Sequence, residues 1–319
     1  MKGFDFENSG LEEKLKTVKS KAGSLSFLRL ILFVSMIGLF VLSVSESPVL
    51  FLGFGVSVFA FVSLVRKYND QKDQEAIYLA LEKMNLRREM RISRNLKELD
   101  AGIEFQEKNH PFANDLDLFG DHSLFQLLNH TVSKKGKEKL AEKIKSGFDL
   151  GHAETFRIAS KELESKPAFL QAIESIGLAF YNEEKSDSAW IKWLGEKEKS
   201  TLLISVFAFI GPIGGLALAV LIYIGIVPLA FFGVWILIGM IFLGMVFKPL
   251  KKAADAIPSR NQLKTYRYWL AVLEKEELES PLLKQMQAPF MTKESKASTL
   301  FDQLDSLGLW MQNRINLLY

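Results

Sequence analysis

HPFANDLDLFGDHSLFQLLNHTVSKKGKEKLAEKIK, residues 110–145, is the stretch from which the rest of the chain is read, because it lies between two strongly apolar blocks and has an informative order of residue types. Asn114 to Gly120 is too short and too rich in turn formers for a helix, so Leu116, Leu118 and Phe119 are expected in an extended turn with Asp115 and Asp117 facing water. Ser123 is placed to cap a short helix over LFQLLN. Its hydroxyl can accept from an unpaired first-turn amide, and Leu124, Leu127 and Leu128 would then share one buried face. A second helix is expected from Thr131 or Ser133, with Leu140 and Ile144 on one side and Lys134, Lys135, Lys137, Lys139, Lys143 and Lys145 mostly on the others. Gly147 would end it.

The flanking blocks set the architecture. Leu25 to Val44 is apolar with Arg29 as its one charge, and its length at 1.5 Å per residue matches a hydrocarbon core of about 30 Å. Arg29 lies one turn inside and can reach back to the headgroups. Ser45-Glu46-Ser47-Pro48 makes a turn and Val49 to Val65 returns, with Gly53, Gly55 and Ser57 offering a flat surface for helix contact. A second pair runs from Thr201 to Ile224 and from Val227 to Phe247, around an uncharged linker at Gly225 and Pro228. Gly211-Pro212 and Gly214-Gly215 are expected to kink the first of these helices. An ion- or substrate-binding broken helix is disfavoured, since the four spans hold no Asp, Glu, Lys or His in mid-membrane.

The flanking charges orient both pairs. Lys14 to Lys21, then Arg66, Lys67 and Lys72, then Lys192, Lys197 and Lys199, and finally Lys248, Lys251 and Lys252 border one side, against Glu46 alone at the opposite turns. The expected organisation is mainly α: a cytoplasmic N-terminal segment over 1–24, a transmembrane hairpin over 25–65, a cytoplasmic helical domain over 66–200, a second hairpin over 201–247 and a cytoplasmic helical segment over 248–319. Within residues 1–24, Leu11, Leu15 and Val18 recur at helical spacing, which fits either a helix on the membrane surface or a frayed tail. Trp190 and Trp193 read as interfacial anchors.

Composition agrees with a chain partly in lipid: 48% of residues are hydrophobic, the formal net charge is +3, and there is no cysteine, which excludes disulfides and thiolate metal sites. The charge is unevenly spread. Lys83, Arg87, Arg88, Arg91, Arg94 and Lys97 face only Glu89, on what reads as one helix with Ile77, Leu81, Met84, Leu96 and Leu99 on its apolar side. Such a stripe is a solvated face, a contact for anionic lipid, or a contact for nucleic-acid phosphates; no aromatic residue interleaves the arginines as a base-stacking surface requires. A metal site can be drawn from His110, Asp115 and His122, but none of these has helical i, i+4 spacing and His110-Pro111 more simply fixes a turn, so no metal is expected. No nucleophile with a base, no cofactor fingerprint and no G-x-x-x-x-G-K-[ST] phosphate loop occurs.

Asp117, Leu118, Phe119, Gly120, Ser123, Leu124, Leu127, Leu128, Asn129, Thr131, Gly136 and Leu140 form an acidic leucine-rich turn, a Gly-x-x-Ser-Leu helix, an Asn and a Thr, then a Gly-containing basic amphipathic helix. In this order they resemble the start of the core, or lever, domain of the MutS mismatch-repair family, and with His110-Pro111 and LDLFG they are most similar to its membrane-spanning bacterial members. The resemblance implies a lever domain that relays nucleotide-driven motion, DNA as a partner, homodimerisation, a bacterial inner-membrane location with both termini cytoplasmic, and an ATPase domain using ATP and Mg²⁺. Leu300 to Tyr319 reads as an amphipathic helix ending without a cap, so that ATPase domain is expected beyond it. No cofactor and no catalysis is expected within these residues. The alternative is a membrane scaffold for homodimerisation or partner docking with no DNA role.

Overall fold

The computed structural model describes residues 3–45, 49–107, 109–146, 150–181, 202–228, 230–256, 260–291, 297–301 and 303–304. These residues are mainly helical and hold no strand. They divide into two compact units, Met1–Tyr181 with Thr265–Ala297, and Asn182–Lys264 with Ser298–Tyr319. Trp190, Trp193, Gly147 and most of the expected helix after Leu300 lie outside the described residues.

The first unit is built on two long helices, α1 (Leu11–Ser45) and α2 (Leu50–Ile92), packed together as an antiparallel hairpin. Phe33 meets Phe61, Phe40 meets Phe54, and the Arg29 guanidinium lies 4.8 Å from the Tyr68 ring centre, so residue numbers run in opposite directions along the pair. Arg29 thus points toward the polar end of the hairpin, as its position one turn inside the apolar run predicts. At 35 and 43 residues the helices are about 50 and 65 Å long, well beyond the 30 Å of a hydrocarbon core. Neither is interrupted at residues 24–25 or 65–66, where the sequence suggested a change from soluble segment to span.

The hairpin has two chemically different halves. Ten large apolar side chains between Phe27 and Leu42 are 44–66% exposed, and Leu52, Val56 and Phe59 on α2 are at least 70% exposed. Leu11–Ser43 is long and apolar enough to cross a membrane, the one such stretch among the described residues. The few polar groups in this half satisfy themselves: the Ser43 hydroxyl donates to the Phe40 carbonyl at 2.7 Å and the Ser57 hydroxyl to that of Phe54 at 2.6 Å. Ser57 is buried, whereas a side chain at Gly55 would meet open space, so only part of the small-residue surface is used in helix contact.

The other half is the core of a helical body. Leu15 and Val18 of α1 pack with Ile77, Tyr78 and Leu81 of α2, Ile176 and Phe180 of α6 (Pro167–Phe180), and Tyr268 of α9 (Arg260–Leu273). The N-terminal segment is therefore neither a surface helix nor a frayed tail. Phe4 and Phe6 join the same cluster, and burying a Leu or Val side chain is worth about 1.5–3 kcal/mol, enough to hold the segment in place. Polar bonds secure it: Tyr78 donates to Asp5 at 2.8 Å, Gln74 donates to the Asp5 carbonyl at 2.9 Å, and Lys14 pairs with Asp5 and Glu7 at 3.0 Å.

Between these helices lie α3 (Leu124–Leu128), α4 (Lys134–Lys145) and α5 (Leu150–Glu164), with α10 (Pro281–Gln287) following α9. Ser280-Pro281 starts α10: Ser280 is its N-cap, and Glu162 of α5 accepts the Glu279 and Ser280 amides at 2.7 Å each. On α9 the buried residues include Tyr268, Leu270 and Ala271, while Tyr266 is only half-buried.

In the second unit, α7 (Leu202–Tyr223) and α8 (Ala230–Ala256) pack against each other. The Gly-Pro-x-Gly-Gly stretch does not end α7. Instead Gly214 and Gly215 admit the Trp235 ring of α8: a Cβ at Gly214 would lie 2.6 Å from the indole, and the indole N–H donates to the Gly211 carbonyl at 3.3 Å. Ile213–Tyr223 and Ala230–Phe242 are apolar helical stretches shorter than a span.

Candidate functional site

Residues 95–145 fold as a cassette on the polar end of α2, and the family-like residues are mostly what holds it together. Leu118 and Phe119 are buried with Ala113, Phe125 and Ala141, and Leu140 and Ile144 pack against that cluster as the helical spacing predicts. Gly120, at φ +99°, donates to the Ala101 carbonyl at 2.9 Å, and Asp117 itself sits at φ +46°, a left-handed conformation that favours glycine. The turn closes by the Leu118 amide bonding the Ala113 carbonyl at 3.0 Å. His110 accepts the Ala113 amide at 3.2 Å through Nδ1, which gives it the turn-fixing role. Among the described residues no group of three His, Asp or Glu side chains is arranged to hold a metal.

α3 begins as the sequence predicts and then turns the other way. Ser123 accepts the Gln126 amide while the Gln126 side chain accepts the Ser123 amide, a reciprocal capping box. Leu124 and Leu128 are 39% and 50% exposed, however, and Phe125 and Gln126 are the buried residues. The leucines do not share a buried face because Gln126 is needed inside: its Nε2 donates to the carbonyls of Leu96 and Leu99 at 3.0 Å each, tying the chain that leaves α2 to the cassette. Its signal was present in the Ser-x-x-Gln spacing.

Asn129, Thr131, Ser133 and Gly136 link α3 to α4. Asn129 Oδ1 accepts from both the amide and the hydroxyl of Thr131, at 3.0 and 2.6 Å, and Ser133 caps α4 by accepting the Gly136 amide at 3.1 Å. A Cβ on Gly136 would meet Ser133 Oγ at 3.1 Å and Thr131 Cβ at 3.2 Å, so a glycine suits this close approach.

The basic stripe is not one helix face. α2 stops at Ile92, Arg94 adopts φ +58°, and the Asn95 amide bonds the Met90 carbonyl at 3.0 Å, a left-handed helix ending with arginine in the glycine position. Lys97 therefore lies past the helix with Arg94. Arg91 points inward: its guanidinium donates to the Gln126 carbonyl at 3.3 Å and the Asn129 carbonyl at 2.6 Å, and burial pulls its pKa down. Arg87 is half-buried, and Arg88 and Arg94 are exposed.

No protein-family model, no curated protein and no solved structure matches this chain.

Beside the cassette is a groove of about 750 Å³ whose walls include Met84, Val132, Pro167, Leu170 and Trp269. Glu174, 13% exposed at the side chain, meets His130 Nδ1 at 2.9 Å on its border. Trp269 is fixed by donating to the Ile173 carbonyl at 2.7 Å, and Gly177 lets its ring approach α6, since a Cβ there would lie 2.9 Å from the indole. Apolar walls with one carboxylate–imidazole pair make this a contact surface in its chemistry.

Proposed function

We propose that this chain is the membrane anchor and lever of a MutS-like ATPase, with nucleotide-driven motion relayed through its helical body. The observation that carries the reading is the continuity of α1 and α2 from the exposed apolar band into the buried core around Leu15, Ile77 and Leu81. Two helices that share one packed core and one apolar hairpin move as a rod, because a packed core does not deform continuously. The resemblance of Asp117 to Gly136 to the lever domain supplies the rest: an ATP- and Mg²⁺-using part, a second copy of the chain, and DNA.

In this reading Leu25 to Val65 and Thr201 to Phe247 form two transmembrane hairpins in a bacterial inner membrane. Exposed side chains such as Leu216, Phe231, Leu237 and Ile241, each more than half exposed, support the second. The asymmetry of flanking lysines and arginines supports a cytoplasmic helical body and cytoplasmic ends for both hairpins. Lys83, Arg88, Arg94 and Lys97 are the exposed cations of this stretch that could meet DNA phosphate.

A second reading, a scaffold for a second copy or another partner with no DNA role, is favoured by the groove at Trp269 and by the exposed Leu124 and Leu128. The test of anchoring is protease treatment of membrane vesicles carrying the full chain, with expected protected fragments covering Leu25 to Val65 and Thr201 to Phe247. A chain that stays soluble and folded without lipid or detergent overturns it. The two readings part in a gel shift of the detergent-solubilised chain: weak, salt-sensitive DNA binding with little mismatch preference supports the lever, and dimerisation with no DNA binding supports the scaffold.

A further inference from the structure

A cleft of about 430 Å³ opens between α1 and α2 where the exposed apolar band meets the helical body. Ser20, Lys21 and Ser24 line it from α1, and Lys67, Asp70 and Gln71 from α2. Leu25 forms its edge, with Phe27 and Leu28 just beyond at 66% and 49% exposure.

What sets this cleft apart along the two helices is that it gathers one lysine from each; Lys16 and Lys19 stand exposed outside it. Lys14 and Lys72, farther from the band, are satisfied within the protein by Asp5, Glu7 and Glu75 at 2.8–3.0 Å. Lys21 and Lys67 form no ion pair or hydrogen bond among the described residues. Two helices therefore each bring a free ammonium to one concave place, with Asp70 as its one carboxylate. Asp70 offsets one of the two positive charges, and the net charge that remains favours an added anion. The Ser20 hydroxyl and the Gln71 amide add neutral donors of the kind a phosphate diester accepts, while the Ser24 hydroxyl already donates to the Ser20 carbonyl at 3.1 Å.

We propose that the cleft between α1 and α2 binds the phosphate headgroup of an anionic glycerophospholipid, held by Lys21 and Lys67 with its acyl chains along the adjoining apolar band. The lipid, rather than free phosphate, is the occupant because the cations end where the exposed apolar surface begins. A headgroup with two tails uses both surfaces at once, and inorganic phosphate uses only one. The inference rests on the band being embedded in lipid.

The experiment titrates phosphatidylglycerol into the full chain in a non-ionic detergent and reads retained lipid by native mass spectrometry, with phosphatidylcholine and inorganic phosphate as comparison ligands. Phosphatidylglycerol is expected to be retained in preference to both. Replacing Lys21→Gln and Lys67→Gln together should weaken it about thirtyfold, since each lysine near an anionic headgroup is worth about fivefold. The pair Lys16→Gln and Lys19→Gln removes the same charge from exposed positions outside the cleft and should leave retention unchanged. Equal losses in the two pairs, or equal binding of inorganic phosphate, overturn the cleft as a lipid site. Protease protection of residues 25–43 in pure phosphatidylcholine vesicles tests the embedding separately. Protection with unaltered phosphatidylglycerol affinity in the Lys21/Lys67 variant sinks the headgroup site alone, and absence of protection in the unmodified chain sinks the embedding on which it rests.

Discussion

Two polar side chains secure the cassette, one from within and one from α2. Gln126 bridges the Leu96 and Leu99 carbonyls from inside the fold, and Arg91 bridges those of Gln126 and Asn129 from the edge of α2. Gln126→Ala would strand two carbonyls and the Ser123 amide beside a small cavity, so a loss of about 2–4 kcal/mol is expected in thermal unfolding of the detergent-solubilised chain. Arg91→Gln should likewise destabilise by about 2–3 kcal/mol, because charge-assisted bonds to carbonyls are lost. Arg88→Gln with Arg94→Gln should act on a different measurement. If these two exposed cations meet DNA phosphate, the slope of log affinity against log salt becomes shallower by about 1.8, at about 0.9 per phosphate, with the unfolding midpoint nearly unmoved. A stability loss from Arg88→Gln, or an unchanged salt slope in a chain that does bind DNA, would count against that division of roles. The sequence could not supply it. Six basic residues close together in the chain look alike until the end of α2 at Ile92 sends Arg91 inward and Arg94 outward.

At the scale of single elements, the caps at Ser123 and Ser133 and the Leu140–Ile144 face of α4 were legible, and the buried face of α3 was not. Ser123 and Ser133 each precede a helix they cap, since a hydroxyl bonding an amide three residues on is a local event written in local sequence. The buried face of α3 is a tertiary matter: five residues make little more than one turn, and the Leu96 and Leu99 carbonyls decide which side goes in. The end of α2 offers a test of the same idea. Arg94 holds a left-handed backbone that glycine adopts without cost, so Arg94→Gly should raise stability by about 0.5–1 kcal/mol despite losing a side chain. The clamp between the N-terminal segment and α2 offers a pH test. Burial first, and then the bond it donates to Asp5, push the Tyr78 hydroxyl from 10.0 up to about 12. A pKa raised on folding means that this contribution is complete below pH 10 and lost as pH rises through about 12. Unfolding midpoints should therefore fall across that alkaline window, and Tyr78→Phe should flatten the fall. Some slope should remain, because burial and Asp73 also raise the Tyr268 hydroxyl.

For the whole molecule, the sequence divided the chain where hydropathy changes, at residues 24–25 and 65–66, whereas α1 and α2 cross both places unbroken. Hydropathy reports the surroundings a helix suits and carries no information on whether the backbone continues, which is why a more polar body and an apolar hairpin on the same two helices looked like separate segments. This continuity makes the orientation of the hairpin and the location of the body one question. The chain has no cysteine, so any single introduced thiol is the only one present. With a membrane-impermeant maleimide applied to intact cells after removal of the outer membrane, Ser47→Cys, which lies between α1 and α2 in sequence, should label from outside. Ser9→Cys and Ser93→Cys, at exposed positions on the polar half, should label only after the membrane is opened. Ile37→Cys, half exposed in the apolar band, should resist labelling in both conditions until detergent is added. Because α1 joins residues 11–45 in one rod, Ser9 and Ser47 cannot lie on the same side if the rod crosses the bilayer. Labelling of both in intact cells would therefore refute the crossing itself, whereas Ser9 outside with Ser47 inside would keep the crossing and reverse the sidedness drawn from the lysines.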